Sequence, residues 1–355
     1  MKSEYPGVAI IILNWNSWRD TLECLETVLK SDYPNFRVIL IDNASADNSY
    51  VHIYRWCTGQ PDEPINSQFP DLFYPLVSKP LDICTGKILN RKYSLNSDIG
   101  NSCIYLLANN ENSGFAVANN IGIRVAREQF NPDFYVLLNN DTVIQPNTIS
   151  ELVRHAIDNP DFAALQSAIY KYDQPGQIAN AGGTILPWGQ TKYYKSIQSG
   201  TLHPITFING CALCLPRKSI EKFGQLTEQF FFGEEDFEFS MRMKRAGQKM
   251  GCVADSKVFH KIGISSHLYL DKKIEKKVLL FALNRTVDMK NFYSHRIWLI
   301  WRLFFILYFF YLYRIRYRVS LKSSIYLLGL IYSWSGKIKD VHKDTVEPIL
   351  HQAGL

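Results

Sequence analysis

Two groups of acids stand out for where they fall in the chain. Residues 134–138 form an unbroken apolar run that stops on Asn139, Asn140 and Asp141. Such a run reads as a buried strand, and in open α/β sheets ligands bind in the crevice beyond the carboxyl ends of the strands. Asp141 is therefore expected at the mouth of a cleft, where it could hold a divalent cation. Further on, Glu234, Glu235 and Asp236 follow the aromatic cluster Phe230, Phe231 and Phe232 and open a helix. Acids suit a first helical turn through the macrodipole alone. Two separate carboxylate clusters call for more than that.

A further acid, Asp42, begins the polar loop Asp42-Asn43-Ala44-Ser45-Ala46-Asp47 after a second apolar run, and His260 ends another at 252–259. Mixed oxygen and nitrogen ligands around a hard ion, Mg2+ or Mn2+, suit a diphosphate. A sugar-nucleotide diphosphate leaves readily once its charge is neutralised, and a remaining carboxylate can then act as general base on a hydroxyl nucleophile. Arg242, on the helix that Glu235 opens, could reach a phosphate or pair with an acid.

The elements that must position these residues alternate. Residues 8–13 read as a strand, 19–30 as a helix with Leu22, Leu25, Val28 and Leu29 on one face, and 36–41 as a strand. The rhythm resumes with a strand at 103–108, a helix at 114–130, the strand before Asp141 and a helix at 147–159. A strand at 205–215, a helix at 235–246 stopped by Gly247 and a last strand at 252–259 complete it. This alternation implies an α/β fold, a mostly parallel sheet flanked by helices with a Rossmann-like nucleotide-binding half. Residues 57–102 carry Pro61, Pro64, Pro70, Pro75 and Pro80 without a sustained period, and are expected as an insertion packed outside the main sheet.

Composition narrows the classes. The 355 residues are 46% hydrophobic and 14% aromatic, enough for a sizeable core and unlike a disordered chain. The net charge of +6 is unevenly spread. Residues 1–260 hold 23 Lys and Arg against 27 Asp and Glu, whereas residues 261–355 hold 16 against 6. That basic end is also apolar. Residues 297–313, interrupted by Arg302, would span roughly 25 Å as a helix. Arg314, Arg316 and Arg318 follow, and then a second apolar run at 325–334.

Two short apolar segments around a basic turn suit a hairpin lying in a membrane interface; helices buried against the catalytic domain or in a dimer interface would carry the same pattern. Basic residues interleaved with apolar ones favour lipid over nucleic acid. The seven scattered cysteines argue against a secreted disulfide framework and for a reducing cytoplasm, and the apolar run at 8–13 is too short for a signal sequence. Cys211 and Cys214 have CxxC spacing, but in an expected strand they would point to opposite faces.

The segments Ile12-Leu13-Asn14-Trp15-Asn16, Asp42 to Asp47, Asn112-Ser113-Gly114-Phe115 with Asn119, Asn120 and Gly122, Leu138-Asn139-Asn140-Asp141, and Glu235-Asp236 with Arg242 occur in one order. In that order the chain resembles family-2 inverting glycosyltransferases over about residues 6–265, and within them the bacterial rhamnosyltransferase-like branch that builds cell-surface polysaccharides. The resemblance implies a GT-A fold. Asn14 and Asp42 would hold the nucleoside, with Gly114, Asn120, Asn140 and Arg242 flanking the nucleotide sugar. Asp141 and His260 would bind Mg2+ or Mn2+, and Asp236, beside Glu235, would be the catalytic base.

Residues 1–265 would then form the catalytic domain and 266–355 a helical membrane-associating region. The expected reaction moves one sugar from a nucleotide-diphosphate sugar to a hydroxyl of a saccharide acceptor carried on polyprenyl diphosphate, at the cytoplasmic face of the cell membrane. Asn139 and Asn140 stand where the family can carry an acid, which leaves a less charged metal site. The Gln-x-x-Arg-Trp signature of processive synthases is missing, so one sugar per event is expected. A catalytically silent scaffold with the same fold is the alternative. A dinucleotide-dependent oxidoreductase is disfavoured, because no glycine-rich turn follows the first strand.

Overall fold

The protein is described by a computed structural model covering residues 5–96, 103–262 and 274–352. The chain opens with β1 (Val8–Asn14), α1 (Trp18–Val28), β2 (Phe36–Asp42) and α2 (Ser49–Cys57). It continues through α3 (Pro70–Phe73), β3 (Ile83–Leu89), β4 (Lys92–Leu95), β5 (Ile104–Asn109), α4 (Phe115–Phe130), β6 (Phe134–Asn139) and β7 (Thr142–Ile144). Next come α5 (Thr148–Asp158), β8 (Phe162–Lys171), β9 (Ile178–Asn180), β10 (Gly183–Ile185), β11 (Thr191–Tyr193) and β12 (Leu202–Ile205). Then follow β13 (Ala212–Pro216), α6 (Arg217–Phe223), α7 (Glu235–Arg245) and β14 (Lys249–His260).

One large sheet runs in the order β12-β14-β8-β13-β6-β1-β2-β5-β3-β4, with β7 added on β14 and β9 on β8. β1, β2, β5 and β6 are parallel and buried on both faces, which is why they read as continuous apolar runs rather than alternating ones. Helices cover both sides, and the two layers of core run along the sheet's length. One gathers Ile10, Leu25 and Leu40, the other Ile11, Ile39 and Val125.

Register carries the strand ends to one edge. Asn14 pairs with Asp42 and Leu13 with Asn139, so the polar ends of β1, β2 and β6 stand side by side. β13 runs antiparallel to β6 and begins opposite Leu138, which brings the preceding Gly210 and Cys211 to that edge. β14 ends with His260 opposite Thr142 of β7. That pairing sets His260 beside Asp141.

Two expectations are corrected. The segment 57–102 does not lie wholly outside the main sheet, for Ile83–Leu89 and Lys92–Leu95 belong to it. Of these, β3 joins β5 in parallel and β4 extends it as the edge strand. The alternating burial of Ile83–Leu89 is that of a strand covered on one face, a period too short to stand out among the prolines. The strand expected at 205–215 is instead two, because Asn209 turns the chain: its side-chain oxygen accepts a hydrogen bond from the Cys211 N–H at 2.9 Å, and its own N–H reaches Gln166 Oε1 at 2.7 Å.

The expected boundary at residue 265 lies outside the described residues. Beyond it come α8 (Ile274–Phe292), α9 (His295–Tyr311) continued by a π-helical turn at Leu312–Arg316, α10 (Leu321–Ser335) and α11 (Lys343–Gln352). Their core includes Leu279, Leu283, Phe309, Tyr313 and Ile331 together with Phe230. A second cluster joins Phe207 and Phe237 to Met289, Trp298 and Trp301. The chain near Val341 pairs with residues 229–231, Phe231 N–H donating to Val341 O at 3.0 Å.

α9 departs from an ordinary surface helix in being apolar on its outward face as well as its inward one. Its inward face holds Trp298, Trp301, Arg302 and Phe309, with the Arg302 guanidinium stacked between Trp298 and Tyr332. Its outward face presents Ile297, Ile300, Phe304, Leu307 and Tyr311, each 55–65% exposed. Spacings of three and four residues make that a continuous apolar stripe. Ile315, Leu321 and Ile325 extend it, flanked by exposed Arg296, Arg316, Arg318 and Lys322. The helix His295–Arg316 is long and apolar enough to cross a membrane, though a third of its most apolar window is buried in the protein.

Candidate active site

The strand ends open onto a cavity of about 370 Å³, within the range of small-molecule sites. Among the expected residues it is lined by Asn14, Gly114, Asn140, Asp141, Glu235, Asp236 and His260.

Asn14 lines its floor, with Asp42 directly behind it. Asn14 Nδ2 donates to Asp42 Oδ1 at 2.7 Å and its Oδ1 accepts from Thr21 Oγ1 at 2.8 Å. Burial pushes the Asp42 carboxyl above its ordinary range, opposed by hydrogen bonds from Ser45 and Asn14. Asp42 itself sits behind the lining, with Asn43 at the surface. Asn43 Oδ1 accepts from Asn109 Nδ2 at 2.9 Å and from Ser113 N at 3.2 Å. This amide network fixes the turn into α4. Gly114 ends that turn at φ +82°, and a Cβ there would lie 2.5 Å from Phe231 O.

Asn140 lines the cavity through a side chain anchored below, its Nδ2 donating to Thr21 Oγ1 at 2.9 Å. Asp141 is 3% exposed. Its Oδ1 stands 3.0 Å from His260 Nε2, at ion-pair distance. Burial disfavours a charged ring at His260, but Cys211 and Asp141 beside it more than offset this and raise its pKa well above the ordinary value.

These residues fit a divalent ion. Asp141 is buried beside His260, and an ion bound between them would displace the His260 ring proton, as metal binding to imidazole does. A separation of 3.0 Å is also that of neighbouring ligands around an octahedral ion with bonds of about 2.1 Å. Among the described residues no three His, Cys, Asp or Glu gather to hold an ion. The remaining positions would fall to diphosphate oxygens and water, the usual arrangement for Mg2+.

Opposite the strand ends, the segment Phe231, Phe232 and Gly233 leads into α7. Gly233 and Glu234 both have positive φ, +80° and +78°, a sharp turn that points the start of α7 at the cavity. Glu235 Oε2 is buried without a hydrogen-bond partner. Burial raises the Glu235 carboxyl to about 8, with the charge of Asp236 adding to the shift. Burial and then Glu234 raise Asp236 to about 7, opposed by the backbone N–H of Phe237 and by Arg285. The adjacent carboxyls therefore titrate as a pair near neutrality. A carboxylate poised there is suited to general-base work.

Two expected residues lie elsewhere. Arg242 is taken up by Glu238, 3.0 Å from its Nε, and by the carbonyls of Phe223 and Gln225. Asn120 holds the 226–228 segment through Leu226 O and Glu228 Oε1, both at 2.9 Å. Neither lines the cavity. Conversely, α8 brings groups that motif reading passed over. Asn284 Nδ2 donates to Phe232 O at 3.0 Å, Arg285 binds Glu234 and Gly189 O, and Lys277 stands in the cavity lining. Their signal was faint. Asn284, Arg285 and Asp288 are polar residues in an otherwise apolar helix face.

Sheet order, the acid-lined strand edge and the buried pair at the start of α7 define a GT-A type fold. Comparison with known proteins agrees. Residues 95–274 match the profile described as "Glycosyltransferase like family 2", and residues 9–66 that of "Glycosyl transferase family 2". The first match covers just over half of the chain, which therefore belongs to glycosyltransferase family 2.

The low-salt glycan biosynthesis hexosyltransferase Agl10 of Haloferax volcanii is 26% identical over 159 residues, 42% of this chain and 48% of that protein. The chain thus spans about half the length of this relative. Residues 1–349 of S. aureus TarS, solved with UDP-GlcNAc, superpose with a TM-score of 0.53 at 12% identity, covering 98% of this chain and 87% of that one. The mannosyltransferase PcManGT of Pyrobaculum calidifontis, solved with GDP-Man and Mn2+, gives 0.50 at 11% identity over 99% and 81%. GalNAc-T7, solved with UDP, GalNAc and Mn2+, gives 0.50 at 14% over 80% and 51%. At these identities the likeness is one of fold.

Proposed function

We propose that this chain is a metal-dependent, inverting glycosyltransferase. It moves one sugar, a hexose or deoxyhexose such as rhamnose, from a nucleotide-diphosphate sugar to a hydroxyl of a membrane-borne saccharide in cell-surface glycan synthesis. The observation that carries the reading is the single cavity that brings Asp141 and His260 opposite Asp236, whose carboxyl is raised to about 7.

Asn14 and Asp42 orient the nucleoside, with Asn43 and Gly114 shaping the floor under the donor. Asp141 and His260 hold a divalent ion that, when bound, neutralises the diphosphate leaving group. Asp236 takes the proton of the acceptor hydroxyl as that oxygen bonds to the anomeric carbon. The bond from that carbon to the diphosphate breaks on the opposite side, and the nucleoside diphosphate leaves with the electron pair. Direct displacement inverts the anomeric configuration.

Residues 274–352 are the proposed membrane-associating region. The apolar stripe on α9, flanked by basic residues, supports a protein lying in the interface at the cytoplasmic face of the cell membrane, with a polyprenyl-diphosphate-linked acceptor. The functional test is a calorimetric screen of uridine, thymidine and guanosine diphosphate sugars, with and without Mg2+ or Mn2+, repeated on Asp141→Ala. Metal-dependent binding of one nucleotide, lost in the variant, is expected. No binding to any nucleotide with metal present would overturn the transferase reading and leave a silent scaffold.

A further inference from the structure

Arg285 is 6% exposed and lies in α8, beyond the segment that carries the motifs. Its Nε meets Glu234 Oε1, another guanidinium nitrogen meets Gly189 O, and its plane lies 3.5 Å from the Phe237 ring centroid. One turn further along α8, Asp288 is fully buried and neither of its carboxylate oxygens has a hydrogen-bond partner. Asn284 of the same helix grips the carbonyls of Phe232 and Gly233, at 3.0 and 3.4 Å. Every residue of the turn into α7 is thus held from α8.

That turn needs holding. A glutamate at φ +78° occupies a conformation that L-residues other than Asn or Asp seldom take, at a cost of order 1–3 kcal/mol unless the surroundings enforce it. Glu234 is enforced by the Arg285 guanidinium. We propose that Arg285 is a positioning residue of the active site: it holds Glu234 in its left-handed turn and so fixes the carboxylates of Glu235 and Asp236 where α7 meets the cavity.

The proposal rests on the reading of Asp236 as base and adds to it that the catalytic unit extends through α8. Electrostatics agree with the geometry. The groups around Asp236 are Glu234, Glu235 and Glu238 along the turn and α7, Tyr193 from β11, and Asp288 and Arg285 from α8. Arg285 is the one cation of that set, and Lys277 of α8 and His260 of β14 also line the cavity with Asp236. It favours the ionised form of Asp236, whereas Glu234 opposes it.

The test is the pH profile of kcat and of the donor KM in Arg285→Gln, Glu234→Gln and Asp236→Asn. Removing the cation should move the acid limb of kcat upward by about one pH unit or more, leaving the donor KM within a few-fold of the parent. Removing the Glu234 charge while keeping an amide to meet Arg285 should move the limb downward. Arg285→Lys should hold the limb near its original place with a reduced plateau. Should Arg285→Gln fail to fold, the downward shift in Glu234→Gln decides the matter. Limbs that stay put in both variants, while Asp236→Asn abolishes turnover, would overturn the proposal and leave Arg285 a structural residue. An Asp236→Asn protein that keeps full turnover would instead sink the base assignment itself.

Discussion

The apolar stripe on α9 makes the sharpest prediction. Ile300, Phe304 and Leu307 are 62%, 65% and 59% exposed, so most of each side chain is free to enter lipid. Full burial of such a side chain is worth about 1.5–3 kcal/mol. The exposed share is then about 1–2 kcal/mol each, or about 3–5 kcal/mol for the three. The triple variant Ile300→Ser, Phe304→Ser, Leu307→Ser should therefore bind vesicles roughly a hundredfold to a few thousandfold more weakly. The assay is co-sedimentation with phosphatidylglycerol–phosphatidylcholine vesicles over a salt series. Exposed Arg316, Arg318 and Lys322 each add about 1 kcal/mol of attraction that salt should screen. The melting temperature should change little, because most of each replaced side chain faces solvent in the folded chain. A triple variant that binds vesicles like its parent would refute the reasoning. So would one whose oligomer falls apart, since the stripe would then be a contact between copies.

Three other expectations follow from the site. Asp236 is raised to about 7 and, as the proposed base, would work only when ionised, so kcat/KM should rise with pH through that value, falling about tenfold per unit below it. A rate that is flat from pH 5.5 to 8 would count against the assignment. Gly114→Ala places a Cβ 2.5 Å from Phe231 O at φ +82° and should weaken donor binding, at a cost of about 1–2 kcal/mol, by calorimetry. Gly122→Ala sets a Cβ 2.6 Å from Ile11 Cγ2, deep between α4 and β1, and should cost about 1–3 kcal/mol of stability in denaturant melts while the donor affinity of the folded fraction stays unchanged.

How much of this was legible in the sequence depends on distance along the chain. The strands ending at Asn14, Asp42 and Asn139, the last just before Asp141, declare themselves through apolar runs stopped by polar residues, and parallel register then aligns their ends without further information. His260 was legible for the same reason. Arg242 illustrates the opposite case. Its place on the helix allows a phosphate contact or an acid partner, and Glu238, one turn before it, captures it locally. Asn120 sat inside a motif but turns inward to the 226–228 segment, a direction that spacing along α4 does not reveal. The strands β3 and β4 were masked by prolines. Arg285 was beyond reach, because nothing local to α8 says which loop its buried charge will meet.

The separation between Glu234 and Arg285 also has a bearing on how the chain is made. The two are 51 residues apart. At synthesis rates of about 5–20 residues per second, the acids of the turn are made roughly 3–10 s before the guanidinium that steadies them. Early in that interval the sheet around β1 and β6 has all its strands but β14, which is itself made before α8, while Glu234, Glu235 and Asp236 have reason to stay in water rather than fold inward. A nascent chain halted before α8 would carry a nucleotide shelf without a finished base. On the proposed reading, catalytic competence thus arrives with the same helices that bring the apolar stripe, so that a chain able to consume its donor would be one already able to meet a membrane surface.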